Sequence, residues 1–130
     1  MSSKIQHMVK AVPLEPRIVA ITWYPDGTSA PTFQTDWADG VAEVTRTDVG
    51  TFLVRLADSY WRLWGYSATV QSSSAAALFA QVGDISNVAS SSQITVVVRV
   101  VNGSGSPTEM TANANNSVCL TLLFNDSSGG

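Results

Sequence analysis

"EVTRTDVGTFLVRLADSYWRLWGY", Glu43 to Tyr66, is the stretch on which the fold turns. Its first half reads as a β-hairpin. "VAEVTRT" (41–47) and "TFLVRLA" (51–57) flank Asp48-Val49-Gly50. A three-residue hairpin loop commonly holds a glycine in the left-handed region, and Gly50 falls there. Side chains alternate along a strand, so Phe52, Val54 and Leu56 share one face and Thr51, Leu53 and Arg55 the other. That is half-buried patterning with one leak at Leu53. The second half is of another kind. Tyr60, Trp61, Trp64 and Tyr66 crowd into a segment that needs only to connect two strands. Asp58 suits a helix cap and Gly65 a helix stop, so 57–65 is expected to hold a short helical turn. Such a turn puts Trp61 and Trp64 on one side.

The same punctuation continues along the chain. "RIVAITWY" (17–24) is β-branched and aromatic and ends at "PDGT", a strong turn signal. "YSATVQS" (66–72) and "AALFAQVGD" (76–84) follow, separated by serines. "QITVVVRVV" (93–101) is β-branched almost throughout, and the expectation is a strand covered on both faces. "NGSGSPTEMTANANN" (102–116) reads as a long loop, of the sort that is often functional or disordered. "SVCLTLLF" (117–124) is the last strand, and "KIQHMVKAV" (4–12) is a candidate for an extra one. Turn signals recur without strand–helix alternation. The expected fold is therefore all-β, a single antiparallel β-sandwich or jelly-roll-like domain of about seven or eight strands. It spans 17–124, behind an extended N-terminal arm (1–16) and before a polar tail (125–130).

At 130 residues the chain is the size of one domain. Only 13% of its residues are charged, against about 25% in an average soluble domain, and serine and threonine fill much of the polar role. Both lysines, Lys4 and Lys10, lie in the arm. Lysine is depleted in interface cores, so a surface this poor in charge favours contact with neighbours. The net charge of −3 argues against nucleic acid, which needs a basic patch. Arg46, Arg55, Arg62 and Arg99 are interleaved with acids. No run is long enough to span a membrane, and no apolar segment follows the basic residues of "MSSKIQHMVKAVPLEP" as in a secretory signal. The expectation is a soluble protein made in a cytoplasm.

Catalysis has little to work with. His7 is the single histidine and lies far from Cys119 in sequence. Cys119 sits in an apolar run and reads as a small buried hydrophobe. Asp36 and Asp39 lack the ligand spacing of a calcium loop and read as a solvated turn. No phosphate-cradling glycine loop is present. The sequence thus suggests no catalytic residue, cofactor or metal ligand. What remains is a high load of tryptophan, at Trp23, Trp37, Trp61 and Trp64. Large rings serve equally as core, as a protein contact surface or as a platform for sugars.

The succession "VTRTDVGTFLVRLADSYWRLWG", "FAQVGDIS" and "ITVVVRVVNGSGSPTEMTANANNSVCLTLLF" resembles small virion proteins of tailed bacteriophages. The matching elements are Val44-Thr45-Arg46, Gly50, Phe52, Val54, Leu56, Asp58 and Tyr60, then Ala112 to Asn116 before the final strand. These are structural punctuation rather than chemistry. The resemblance implies a capsid decoration, or cement, protein on the virion's outer capsid surface, made in the host bacterial cytoplasm. It also implies a homotrimer that clamps major capsid protein subunits. A fibre or tail accessory protein is compatible with the same resemblance. The arm would reach a neighbouring subunit through Ile5, Met8 and Val9, adding to a sheet edge. Trp37, Tyr60, Trp61 and Trp64 complete the expected interface, with a glycan as the alternative partner for the rings.

Overall fold

The computed structural model describes residues 16–33, 40–74 and 77–125. These form eight strands in chain order: β1 (Pro16–Asp26), β2 (Ser29–Phe33), β3 (Val41–Asp48), β4 (Thr51–Leu56), β5 (Arg62–Gln71), β6 (Leu78–Ser86), β7 (Thr95–Asn102) and β8 (Ser117–Asn125). Two four-stranded antiparallel sheets result, ordered β2-β1-β8-β5 and β3-β4-β7-β6. The expected β-sandwich is what the chain forms. The candidate strand at 4–12 lies outside the described residues, as do most of the arm and 126–130 of the tail. The strand that the sequence did not announce is β2, "SAPTF", which pairs with β1 across the Pro25–Thr28 turn. Pro16, placed with the arm by sequence, is the first residue of β1, and Asn125 is the last of β8.

The core follows from alternation on the central strands. Val19, Ile21 and Trp23 of β1 and Val118, Leu120, Leu122 and Phe124 of β8 line the first sheet's inner face. Phe52, Val54 and Leu56 of β4 and Val96, Val98 and Val100 of β7 line the second. Trp23 and Phe52 meet between the sheets with centroids 5.6 Å apart and planes at 59°, a tilted geometry that suits two aromatic quadrupoles. Coverage on both faces of β7 is not found. Val97, Arg99 and Val101 point outward and are only half-buried. Leu53, the leak in the β4 pattern, pairs with Val97, so the two apolar side chains shield each other on the outside. Cys119 is likewise not in the core. It pairs with Thr22 and Thr69 on the outer face, with its Sγ 3.1 Å from Thr22 Oγ1.

Gly50 takes the left-handed backbone that the sequence indicates, at φ +57°, but the loop is two residues long where three are expected. Asp48 pairs with Thr51, so Val49 and Gly50 alone form the tip. Gly50 is also where the tip meets the 103–116 loop. Its carbonyl accepts from Val100 N–H at 2.7 Å, and its N–H donates to Glu109 Oε1 at 2.7 Å. Arg46 closes the arrangement, donating to Glu109 from Nε at 3.0 Å and from Nη2 at 2.6 Å. The long loop is thereby built into the domain. Met110 is buried in the core. The buried Asn116 accepts Ser73 N–H at 2.6 Å and donates to Thr111 O at 2.9 Å. Asn113 accepts from Asn115 N–H and Asn116 N–H. The asparagine run is structural punctuation in fact.

The side-chain hydrogen bond from Arg46 holds the Glu109 carboxyl below its ordinary 4.5; burial opposes this, and the Gly50 N–H adds to it. A depressed carboxylate stabilises the fold above its unfolded-state value, and that stability disappears as pH falls through the folded value. Glu109→Gln is therefore expected to melt below the wild type at neutral pH, with the gap closing as the pH falls below 4.5 and through the depressed value of the folded state. Thermal melts of both proteins across that range test this. A gap independent of pH would remove the charge from the explanation.

Candidate functional site

The crowded rings after β4 divide between the core and one rim of the sandwich. Tyr60 is only 7% exposed and stacks on Phe124 at 4.4 Å with planes 12° apart. It closes the core, so its expected part in an interface gives way to packing. Trp61 is 51% exposed, Trp64 47% and Tyr66 56%. No helical turn forms at 57–65. The chain bends at Ala57 and Asp58, and β5 already begins at Arg62, paired with Asn125. Strand pairing with β8 overrides the local capping signal, and aromatic residues suit a strand. A bulge between Leu63 and Gly65 absorbs the extra residue, Trp64. Bulges re-aim side chains in this way. Tyr66 pairs with the buried Leu122, yet β5 is the last strand of its sheet and the ring stays open to solvent at the rim.

Among the described residues four strands form sheet edges, and three are blunted. β2 has five residues and contains Pro31. β3 carries Glu43, Arg46 and Asp48 and two register shifts. β6 carries Asp84 and one shift. These are the devices by which edges avoid pairing with other chains. β5 has ten residues, and after its early bulge it runs from Gly65 to Gln71 in regular register, with no charge and no proline. Beside it on the outer face, Ile18 pairs with Leu123 and Leu123 with Gly65. Ile18 is 69% exposed. At Gly65 the row has no side chain, and a hollow of about 260 Å³ opens there, lined by Gly65, Tyr66, Ser67, Thr121 and Leu123.

Of the residues expected at an interface, Trp61 and Trp64 are brought to this rim. Ile5, Met8, Val9 and Trp37 lie outside the described residues, as do His7, Asp36 and Asp39. Tyr66, one of the crowded rings, lies at this surface too, and Ile18 and Gly65 join it without having been singled out for it. Among the described residues no cluster of three or more His, Cys, Asp or Glu side chains could hold a metal ion. No helix among them is long and apolar enough to cross a membrane. The surface offers backbone hydrogen-bonding groups, rings and an apolar hollow, which is chemistry for binding. No family model, curated protein or solved structure matches this chain.

Proposed function

We propose that this protein is a non-enzymatic structural component of a bacteriophage virion, a capsid decoration protein that binds the outer capsid surface and stabilises the expanded head. The observation that carries contact as its mode of action is the open β5 edge, uncharged over Gly65–Gln71 and flanked by Trp64, Tyr66 and the hollow above Gly65. An extended segment of a partner adds to such an edge through main-chain hydrogen bonds, while pockets beside it select side chains. The virion setting, the major capsid protein as partner and the trimeric state come from the sequence resemblance. Repeated weak sites that exist only on the assembled shell stabilise it by mass action.

Purified protein added to expanded, undecorated capsids is expected to bind saturably and to raise their melting temperature. The pair Trp64→Ala and Thr69→Lys, which removes a ring and charges the edge, is expected to weaken binding at least about tenfold, or about 1.4 kcal/mol. The isolated domain should keep its own melting temperature within a few degrees. Absence of binding by the wild type would end the decoration reading. Undiminished binding by the double variant would move the contact away from β5. A second reading, a carbohydrate-binding or fibre and tail accessory module of a virion, is favoured by one observation, the Trp61 ring beside a neutral cleft.

A further inference from the structure

We infer that the cleft between Trp61 and the β6–β7 loop is a binding site for a neutral carbohydrate, with a pyranose ring packed on the Trp61 indole. The inference rests on the second reading above and is independent of capsid binding. A cavity of about 310 Å³ lies here, lined by Ser59, Tyr60, Trp61, Ala89, Ser90 and Ser91. That is the lower end of the size range of small-molecule pockets. None of the six residues is charged. The site therefore has no cation for a phosphate or carboxylate and no carboxylate for a metal or amine. It offers aromatic surface and the hydroxyl groups of three serines. A pyranose presents the matching pair, a face of C–H bonds and a rim of hydroxyls, and aromatic rings serve such amphipathic contacts.

The loop wall is fixed before any ligand arrives. Asn87 and Ala89, at φ 70° and 61°, are the two non-glycine residues with positive φ among the described residues. A left-handed alanine is strained, and such strain persists where the surroundings enforce it, often at binding sites. Here Ala89 N–H donates to Tyr60 O at 2.8 Å, and Asn87 Nδ2 donates to Gln93 O at 3.0 Å. Ser92 N–H donates to Ser90 Oγ at 3.1 Å. The loop is thus tied to the same Tyr60 that stacks into the core, and a rigid wall lowers the ordering cost of binding. A second cavity, of about 360 Å³, shares Ser59 and Tyr60 with the first and is bordered by Arg17 and Asp58. A second sugar unit linked to the first would meet these hydrogen-bonding groups.

An NMR titration with glucose, galactose, mannose, N-acetylglucosamine and their disaccharides tests the site. At least one sugar is expected to bind saturably, with Kd near or below millimolar, shifting the Trp61 indole and Ser90–Ser91 amide signals. Trp61→Ala should weaken that binding at least about tenfold, or about 1.4 kcal/mol, whereas Phe79→Ala, at an exposed ring on β6 outside the cleft lining, should leave it unchanged. Should Trp61→Ala fail to fold, Ser91→Trp, on the exposed loop, fills the cleft and is expected to block binding. No saturable shift with any of these sugars at millimolar concentration would overturn the inference. Binding that survives the blocking substitution would overturn it equally. Capsid binding measured in parallel separates this result from the decoration reading, because the two surfaces use different rings.

Discussion

Gly50→Val is expected to leave little folded protein. Two independent effects meet at this position. The backbone is left-handed at φ +57°, a region that a β-branched residue tolerates badly. A Cβ there would also lie 2.6 Å from Thr108 O, 2.8 Å from Thr108 N and 2.8 Å from Val100 O. These are backbone atoms of β7 and the loop beside it, which cannot step aside without breaking the bonds that Gly50 makes to Val100 and Glu109. The expected cost exceeds about 4 kcal/mol, in the range reserved for the most damaging substitutions. It is comparable to the whole stability of many domains, about 5–15 kcal/mol. Gly27→Ala provides the control. Its φ is also +57°, but a Cβ there meets nothing within 4 Å, so only the conformational strain of roughly 1–2 kcal/mol remains. Soluble yield and thermal melts compare the two. If Gly50→Val melts within a few degrees of Gly27→Ala, the close packing of the hairpin tip is not what that glycine serves.

Trp23→Ala should come second, at about 3–5 kcal/mol. Trp23 is fully buried and is the largest side chain in the interior, where it bridges the sheets through Phe52. Truncation removes that bridge and leaves a cavity that the flanking strands, fixed by their ladders, fill only in part. Trp23→Phe separates ring from indole. It keeps an aromatic against Phe52 and discards an N–H that has no hydrogen-bond partner among the described residues. A buried unpaired donor costs stability, and its removal offsets part of the lost packing, so the phenylalanine variant should lose only about 1–2 kcal/mol. Denaturant melts give both values. A phenylalanine variant as damaged as the alanine one would show that the N–H is satisfied after all.

The sequence made the β4 and β8 faces legible because alternation of large apolar side chains is a local signal. It made Gly50 legible because few residues accept its backbone geometry. β2 escaped notice for the converse reason. "SAPTF" has a proline and little β-branching, and it is a strand only because β1 offers it a ladder. The helical signal at 57–65 was genuine but local, and pairing with β8 outweighed it. Coverage of β7 was over-read because Val97 and Val101 look like core residues until Leu53 is known to lie beside Val97. The rings at Trp61 and Trp64 could be named from sequence, but their exposure depends on β5 being an edge, which is a property of topology. The strained Ala89 and the pairing of Arg46 with Glu109, sixty-three residues apart, leave no mark on the sequence at all.

The position of β8 has a consequence for how the molecule is made. It is the last strand of the described chain, yet it lies between β1 and β5 and pairs with both along nearly its whole length. The second sheet can assemble as soon as β7 leaves the ribosome, since β3, β4, β6 and β7 are then all present. The first sheet has no middle until the nine residues of β8 arrive. Until then Val19 and Ile21 have no neighbouring ladder, Trp23 has only β2 beside it, and the inner face of the second sheet lacks the apolar row of β8. Pairing the start of a chain with its end is slow, because a long loop must close before any contact forms. Folding of this domain is therefore completed only once β8 has been made, and a chain broken anywhere before β8 is left with an open, apolar half-sandwich, the sort of species that aggregates.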